Sequence, residues 1–150
     1  MKILFVCLGN ICRSPMAEGI LRHKLFLKNI EAETDSAGTG GWHAGEPPDR
    51  RAIGTARKKG VDISKLRARK FCVEDFKNFD KIFVMDRENY EDVIRLAPDE
   101  ESKRKVVLML SVLNSGIKDV PDPWYGQEQH FEEVFQLLSD ACDVIIGTMK

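Results

Sequence analysis

Four consecutive apolar residues, Ile3-Leu4-Phe5-Val6, stand between Lys2 and Cys7, and after a short loop the pair Ser14-Pro15 opens a helical stretch. An unbroken apolar run of this length, ended by Gly9, reads as a strand buried on both faces rather than one with a wet side. Such a strand needs cover above and below. Pro15 suits a first helical position, where its missing N–H would have had no partner. Ser14 before it is a preferred N-cap. A capping-box glutamate is absent, because Ala17 lies three residues after Ser14 and Glu18 comes one position late. The helix is expected to reach about residue 28.

The same alternation continues along the chain. Residues 30–36 alternate small or apolar with charged side chains, as a weaker edge strand does, and residues 37–41 read as a flexible Gly-rich loop. Pro47-Pro48-Asp49 opens a second helix that Gly60 stops. Residues 81–86 form a third strand, followed by a helical stretch to Leu96 with a stop at Pro98, and residues 105–110 form a fourth strand. Phe131, Val134, Phe135, Leu138, Cys142, Ile145 and Ile146 fall on one face of a last helix. That stripe is a core-packing face, with Cys142 a small buried hydrophobe; Cys72 has the same reading. Strands alternating with helices imply an α/β fold, a parallel sheet with helices on both faces. In such sheets the functional crevice lies beyond the carboxyl ends of the strands. This selects the loops after Cys7, Ser36, Asp86 and Leu110.

Composition narrows the class. A chain of 150 residues fits one domain spanning 1–150, and 43% hydrophobic with 31% charged residues describes a folded chain rather than a disordered one. The net charge of −1 gives no bulk attraction to nucleic acid or to a membrane surface. No apolar run approaches the roughly 20 residues of a membrane span, and residues 3–6 are too short for a signal-peptide core. A cytoplasmic location is expected, with the four scattered cysteines reduced.

The stretch Cys7-Leu8-Gly9-Asn10-Ile11-Cys12-Arg13-Ser14 admits several chemistries. A structural metal needs grouped ligands, but Cys7 and Cys12 have no second pair, and His23, His43 and His130 are isolated. A dithiol redox motif wants Cys-x-x-Cys, a tighter spacing than this one. A nucleotide loop wants more glycines and a lysine before the Ser. A nucleophile fits best. A strand-to-helix turn aims backbone amides and the positive end of a helix dipole at one point, which suits an oxyanion such as phosphate. Arg13 adds a planar fork that can hold two oxygens. Cys7 at the strand end can face the same cradle, where the positive field is expected to favour its thiolate. Ser14 either caps the helix or donates to that sulfur. Gly9 and Asn10 suit the unusual backbone angles of a loop with converging amides.

Attack on a phosphate ester needs an acid for the leaving oxygen. Asp122 lies between two prolines in Val120-Pro121-Asp122-Pro123-Trp124-Tyr125-Gly126, on the active edge of the sheet. It is either this acid or part of an ordinary rigid turn. Asp86 has three readings: N-cap of the following helix, support for the site, or acid. Trp42, followed by His43, either flanks a ring-bearing substrate or anchors its loop.

These residues resemble the low-molecular-weight protein tyrosine phosphatases, and the match covers essentially the whole chain. The stretch 6–15 resembles the family's phosphate-binding loop and Asp122-Pro-Trp-Tyr-Gly its acid loop, while Ser36-Ala-Gly, Trp42 and Phe83-Val-Met-Asp86 fall in family order. The resemblance implies a three-layer fold with a twisted four-stranded parallel sheet, flavodoxin-like and doubly wound. It implies hydrolysis of phosphotyrosine on protein substrates, with inorganic phosphate as product and neither metal nor cofactor. By carry-over Cys7 is the nucleophile, Arg13 the phosphate clamp and Asp122 the acid that then activates water. Leu8, Gly9, Asn10, Ile11, Cys12 and Ser14 form the binding loop, with Trp42, Trp124 and Tyr125 around it, and Cys12 matches a second loop cysteine able to form a protective disulfide with Cys7. Trp124 stands where many eukaryotic members carry tyrosine. Leu66 stands where some carry a histidine, which leaves no histidine for a buried network there. Ile11 favours phosphotyrosine, since relatives resembling phosphoarginine phosphatases carry threonine. The alternatives are an arsenate reductase on the same scaffold, which needs relay cysteines that Cys72 and Cys142 are poorly placed to supply, and a non-catalytic phosphate-binding module. A monomer is the expected state, with a weak homodimer as the alternative.

Overall fold

A computed structural model describes residues 1–149. Strands β1 (Lys2–Cys7), β2 (Glu33–Gly38), β3 (Lys81–Val84) and β4 (Val106–Leu108) form one parallel sheet in the order β2-β1-β3-β4. The helices are α1 (Arg13–Leu27), α2 (Arg50–Lys58), α3 (Asp75–Asn78), α4 (Arg87–Leu96), α5 (Glu100–Arg104) and α6 (Glu128–Gly147). The unbroken apolar run of β1 has its explanation here. Ile3, Phe5 and Cys7 enter a core shared with α1, α2 and α6, while Leu4 and Val6 enter a second core with Ile82, Val84, Phe76 and Val93. Alternate residues of a strand point to opposite faces, so a strand covered on both sides has no polar position.

All seven residues of the stripe read on the last helix are buried, and each large apolar side chain among them is worth on the order of 1.5–3 kcal/mol; Cys72, given the same buried reading, is instead exposed on the loop before α3. Helix α1 is different. Residues 13–21 are all buried, polar ones included, because this helix is enclosed between the sheet, α2 and α6. Gly19 permits that closeness: a Cβ there would sit 2.4 Å from the Ile63 side chain.

The chain leaves β1 for β2 on one side, and β3 then pairs on the other side of β1. Such a reversal opens a crevice at the carboxyl ends of the strands, here those of β1 and β3. Some boundaries move from those the sequence suggests. Strand β2 begins at Glu33 and takes in Ala37 and Gly38, both buried, because it runs in register with β1 from Lys2–Glu33 to Cys7–Gly38. The fourth strand stops at Leu108 and tightens into a 3-10 turn over Met109–Val112. Helices α3 and α5, of four and five residues, are too short to leave a periodic signal.

Candidate active site

The loop after β1 reverses on Asn10, whose φ of 58° lies in the left-handed region that asparagine tolerates better than most residues. Four hydrogen bonds fix it there. Its backbone N–H donates to Cys7 Sγ at 3.3 Å, its Nδ2 donates to Ser14 Oγ at 2.8 Å and to Ser36 Oγ at 2.9 Å, and its Oδ1 accepts the Arg69 N–H at 3.0 Å. Ser14 Oγ also lies 3.0 Å from Cys7 Sγ. Ser14 is therefore not the cap of α1: the helix begins at Arg13 with Cys12 in the cap position and no side-chain cap bond, and the hydroxyl is turned to the sulfur. Gly38 allows the end of β2 to close against this loop, where a Cβ would come within 2.8 Å of the Leu8 carbonyl oxygen.

Arg13 is the first residue of α1 and is almost wholly buried. Its Nη1 donates to Asp86 Oδ2 at 2.6 Å and to the Val120 carbonyl at 3.0 Å, and its Nη2 stands 3.6 Å from Asp122 Oδ2. Burial opposes its charge, but the Cys7 sulfur, Asp86 and Asp122 outweigh that and hold its pKa above the usual arginine value. Asp86 fulfils two of its three readings at once. One carboxylate oxygen caps α4 through the Asn89 N–H, at 2.8 Å, and the other fixes Arg13.

Val120 donates its N–H to the Met85 carbonyl at 2.8 Å, which pins the loop over residues 120–126 to the end of β3 two residues before Asp122. Asp122 Oδ1 accepts the Trp124 N–H at 3.1 Å and caps the 3-10 turn Pro123–Tyr125, leaving Oδ2 toward Arg13. The rigid turn therefore also turns a carboxylate oxygen toward Arg13.

A cleft of about 250 Å³ is lined by Cys7, Leu8, Gly9, Ile11, Cys12, Arg13, Trp42, His43, Asp122, Trp124 and Tyr125. Trp42 and Tyr125 are strongly exposed at its rim, and the His43 and Trp124 rings lie 6.0 Å apart. Asn10 and Ser14, read from the sequence as binding residues, stand behind this lining instead of in it. No group of three or more side chains suited to a metal occurs among the described residues, and no helix among them is long and apolar enough to cross a membrane.

The family model for the low molecular weight phosphotyrosine protein phosphatases matches residues 2–150. The chain belongs to this family. The low molecular weight phosphotyrosine protein phosphatase of Schizosaccharomyces pombe is 43% identical over 144 residues, covering 93% of this chain and 91% of that one. The low molecular weight protein-tyrosine-phosphatase YfkJ of Bacillus subtilis is 39% identical over 152 residues, covering 100% and 96%. A crystal structure of the Entamoeba histolytica protein tyrosine phosphatase, with Hepes in its active site, superposes with a TM-score of 0.94 at 38% identity, covering 99% and 96%. This low molecular weight phosphatase is accordingly a hydrolase acting on phosphotyrosine.

Sequence patterns give no role to several side chains that hold the phosphatase site. Ser36 links Asn10 to the buried Glu18, donating to its Oε1 at 2.7 Å, and Arg22 pairs with the same carboxylate. Burial pushes the Glu18 pKa up against the bonds from Ser36 and Arg22. Leu66 packs against the core. Arg69 bridges Asp35 and Asp75 at 3.0 Å each while its backbone N–H holds Asn10. Only Ser36, at the carboxyl end of an edge strand, carries a positional signal; of the partners of Arg69, Asp35 and Asn10 are distant in sequence. Burial, then Asp49, Cys7 and Asp122, push the Cys12 pKa well above the ordinary thiol range.

Proposed function

We propose that this phosphatase works through a cysteinyl-phosphate intermediate, with Cys7 as nucleophile, Arg13 as phosphate clamp and Asp122 as acid and then base. The observation that carries this is the convergence of Cys7, Arg13 and Asp122 on one cleft, with Asp122 Oδ2 3.6 Å from Arg13 Nη2. In the free enzyme Asp122 partly occupies the face of Arg13 that a phosphoryl group takes. An arriving phosphate displaces that ion pair, and Asp122, released from the positive charge, takes up a proton from solvent and stands as a carboxylic acid beside the ester oxygen. The Cys7 thiolate attacks phosphorus, the S–P bond forms as the P–O(aryl) bond breaks, and the phenolic oxygen takes its proton from Asp122. Water then attacks phosphorus and gives its proton to the Asp122 carboxylate. The S–P bond breaks, and inorganic phosphate leaves with Cys7 again a thiolate. Ser14 Oγ and the Asn10 N–H, both on the sulfur, stabilise its negative charge before attack and on departure.

Trp42, Trp124 and Tyr125 at the cleft rim support a phosphorylated ring on a protein as the substrate. The common cleft of Cys7 and Cys12 supports a reversible disulfide between them as an oxidative off-switch. Residues 1–150 act as one cytoplasmic, metal-independent domain in this reading, as a monomer. The test is p-nitrophenyl phosphate turnover: Cys7→Ser abolishes it, orthovanadate inhibits it and EDTA leaves it unchanged. Activity retained by Cys7→Ser, or lost to EDTA, contradicts the mechanism.

A further inference from the structure

One charged side chain near the cleft takes no part in the chemistry above yet holds the C-terminal half of the acid loop. Arg51, in the first turn of α2, donates Nη2 to the Trp124 carbonyl at 3.1 Å and Nη1 to the Gly126 carbonyl at 3.2 Å. Its guanidinium lies 5.5 Å from the centre of the Trp124 ring and 4.6 Å from that of Phe131 on α6. Asp49 grips the same guanidinium with both oxygens, Oδ1 to Nε at 3.0 Å and Oδ2 to Nη2 at 3.1 Å. The backbone N–H of Asp49 in turn donates to the Ile11 carbonyl of the phosphate-binding loop at 2.8 Å. From Ile11 through Asp49 and Arg51 to Trp124 and Gly126 runs a continuous set of bonds between the two loops that must meet at the substrate.

We infer that Arg51 is a positioning residue for proton transfer: oriented by Asp49, it sets the height of residues 122–126 above the phosphate-binding loop. The inference rests on the reading of Asp122 as the acid. Val120 fixes the loop on its N-terminal side through Met85 and Arg13, and Arg51 fixes it on the C-terminal side. Asp122 lies between these two anchors, and its side chain is 39% exposed. A planar fork that holds two carbonyls and a carboxylate together cannot be replaced by an ammonium group, which is a point charge without fixed donor directions.

The experiment measures kcat/KM, which reports P–O cleavage, over a series of aryl phosphates whose leaving phenols range from acidic to strongly basic. It compares wild type, Arg51→Met, Arg51→Lys, Asp122→Ala and the Arg51→Met/Asp122→Ala double variant, with thermal unfolding of each. Methionine keeps the apolar stem over Phe131 and Trp124 and removes the fork. Displacing an acid by a fraction of an ångström to an ångström costs up to about 100-fold. The expected result for Arg51→Met is a loss of roughly 10- to 100-fold on the most basic leaving group that shrinks steadily toward p-nitrophenol. Arg51→Lys shows a smaller steepening of the same sign, and in the Asp122→Ala background Arg51→Met adds no further loss. If Arg51→Met fails to fold, the Arg51→Lys series decides the matter alone. If Asp122→Ala steepens the leaving-group dependence but neither Arg51 variant does, the inference is overturned. It is equally overturned if the loss is uniform across the series or persists undiminished in the Asp122→Ala background. A flat dependence in Asp122→Ala itself refutes the acid assignment, a separate outcome.

Discussion

The two loops that meet at the cleft are built on opposite plans. The phosphate-binding loop is enclosed: Cys7, Asn10, Cys12, Arg13 and Ser14 are all buried, and Asn10 alone ties the loop to Ser14, Ser36, Arg69 and the Cys7 sulfur. The loop over residues 120–126, which carries the proposed acid, is a surface turn. Tyr125 is 92% exposed, Trp124 and Asp122 are partly so, and the loop is held by the prolines, by Val120 and by the reach of Arg51. In the mechanism proposed above, the difference follows from what each must do. Charge stabilisation at phosphorus needs donors that do not reorganise, and these are worth most where water is excluded. A proton donor must admit the substrate first and then reach the oxygen that leaves. One half of the site is therefore part of the core, and the other is fastened to it.

The comparison can be broken by variants whose effects on stability and on turnover separate. Asp122→Ala is expected to cut kcat/KM for a basic aryl leaving group by roughly 10²–10⁴-fold while the melting temperature barely moves; a large loss of stability would mean that the acid loop belongs to the core after all. Arg13→Lys keeps the charge but loses the fork, and turnover should fall by about 10²–10³-fold. That change should also lower stability in urea titrations, because Asp86 and the Val120 carbonyl lose their shared donor. Asn10→Ala strands partners at Ser14, Ser36 and Arg69, and urea denaturation should read a loss of about 1–3 kcal/mol together with a drop in kcat. Unchanged stability there would remove the contrast between the loops. The smallest effect concerns pH. Burial tends to raise the Asp49 pKa, but the bonds from Arg51 outweigh it and hold the carboxyl below its ordinary value. An aspartate depressed in the folded state adds stability above its unfolded pKa of about 3.9 and loses it as pH falls through the lower native value. The stability difference between wild type and Arg51→Met should therefore narrow as urea titrations are carried below about pH 4, and a gap independent of pH would dissociate the Asp49 pair from the clamp.

The residues of one stretch are enough to locate one wall of the cleft. Cys7, Arg13 and the loop between them lie together in sequence, flanked by a fully apolar strand and a helix start, and the carboxyl-end rule put Asp122 and Asp86 on the same edge. The alternation of strands and helices makes the sheet and its two covered faces legible, and the stripe on α6 marks its buried face apart from Ala141. What escaped was whatever depends on contacts between distant segments. Ser14 carries the local pattern of a cap, but a buried sulfur and the Asn10 amide compete for its hydroxyl and win. Arg51 and Arg69 sit in basic stretches that look like solvated faces; their work depends on backbone carbonyls and carboxylates that only folding brings near. The edge strand β2 shifted because its register is set by β1, not by its own weak alternation.

The covalent role of Cys7 is tested most directly by acid-quenching the enzyme during turnover of an aryl phosphate and mapping the phosphoryl group by peptide mass spectrometry. A phosphoryl group on the peptide containing Cys7, bound through sulfur and lost when Cys7 is replaced by serine, is the expected result, with Cys72 and Cys142 unmodified. Full turnover with no phosphoryl group on that peptide at any quench time, or with the group on another residue, would contradict it.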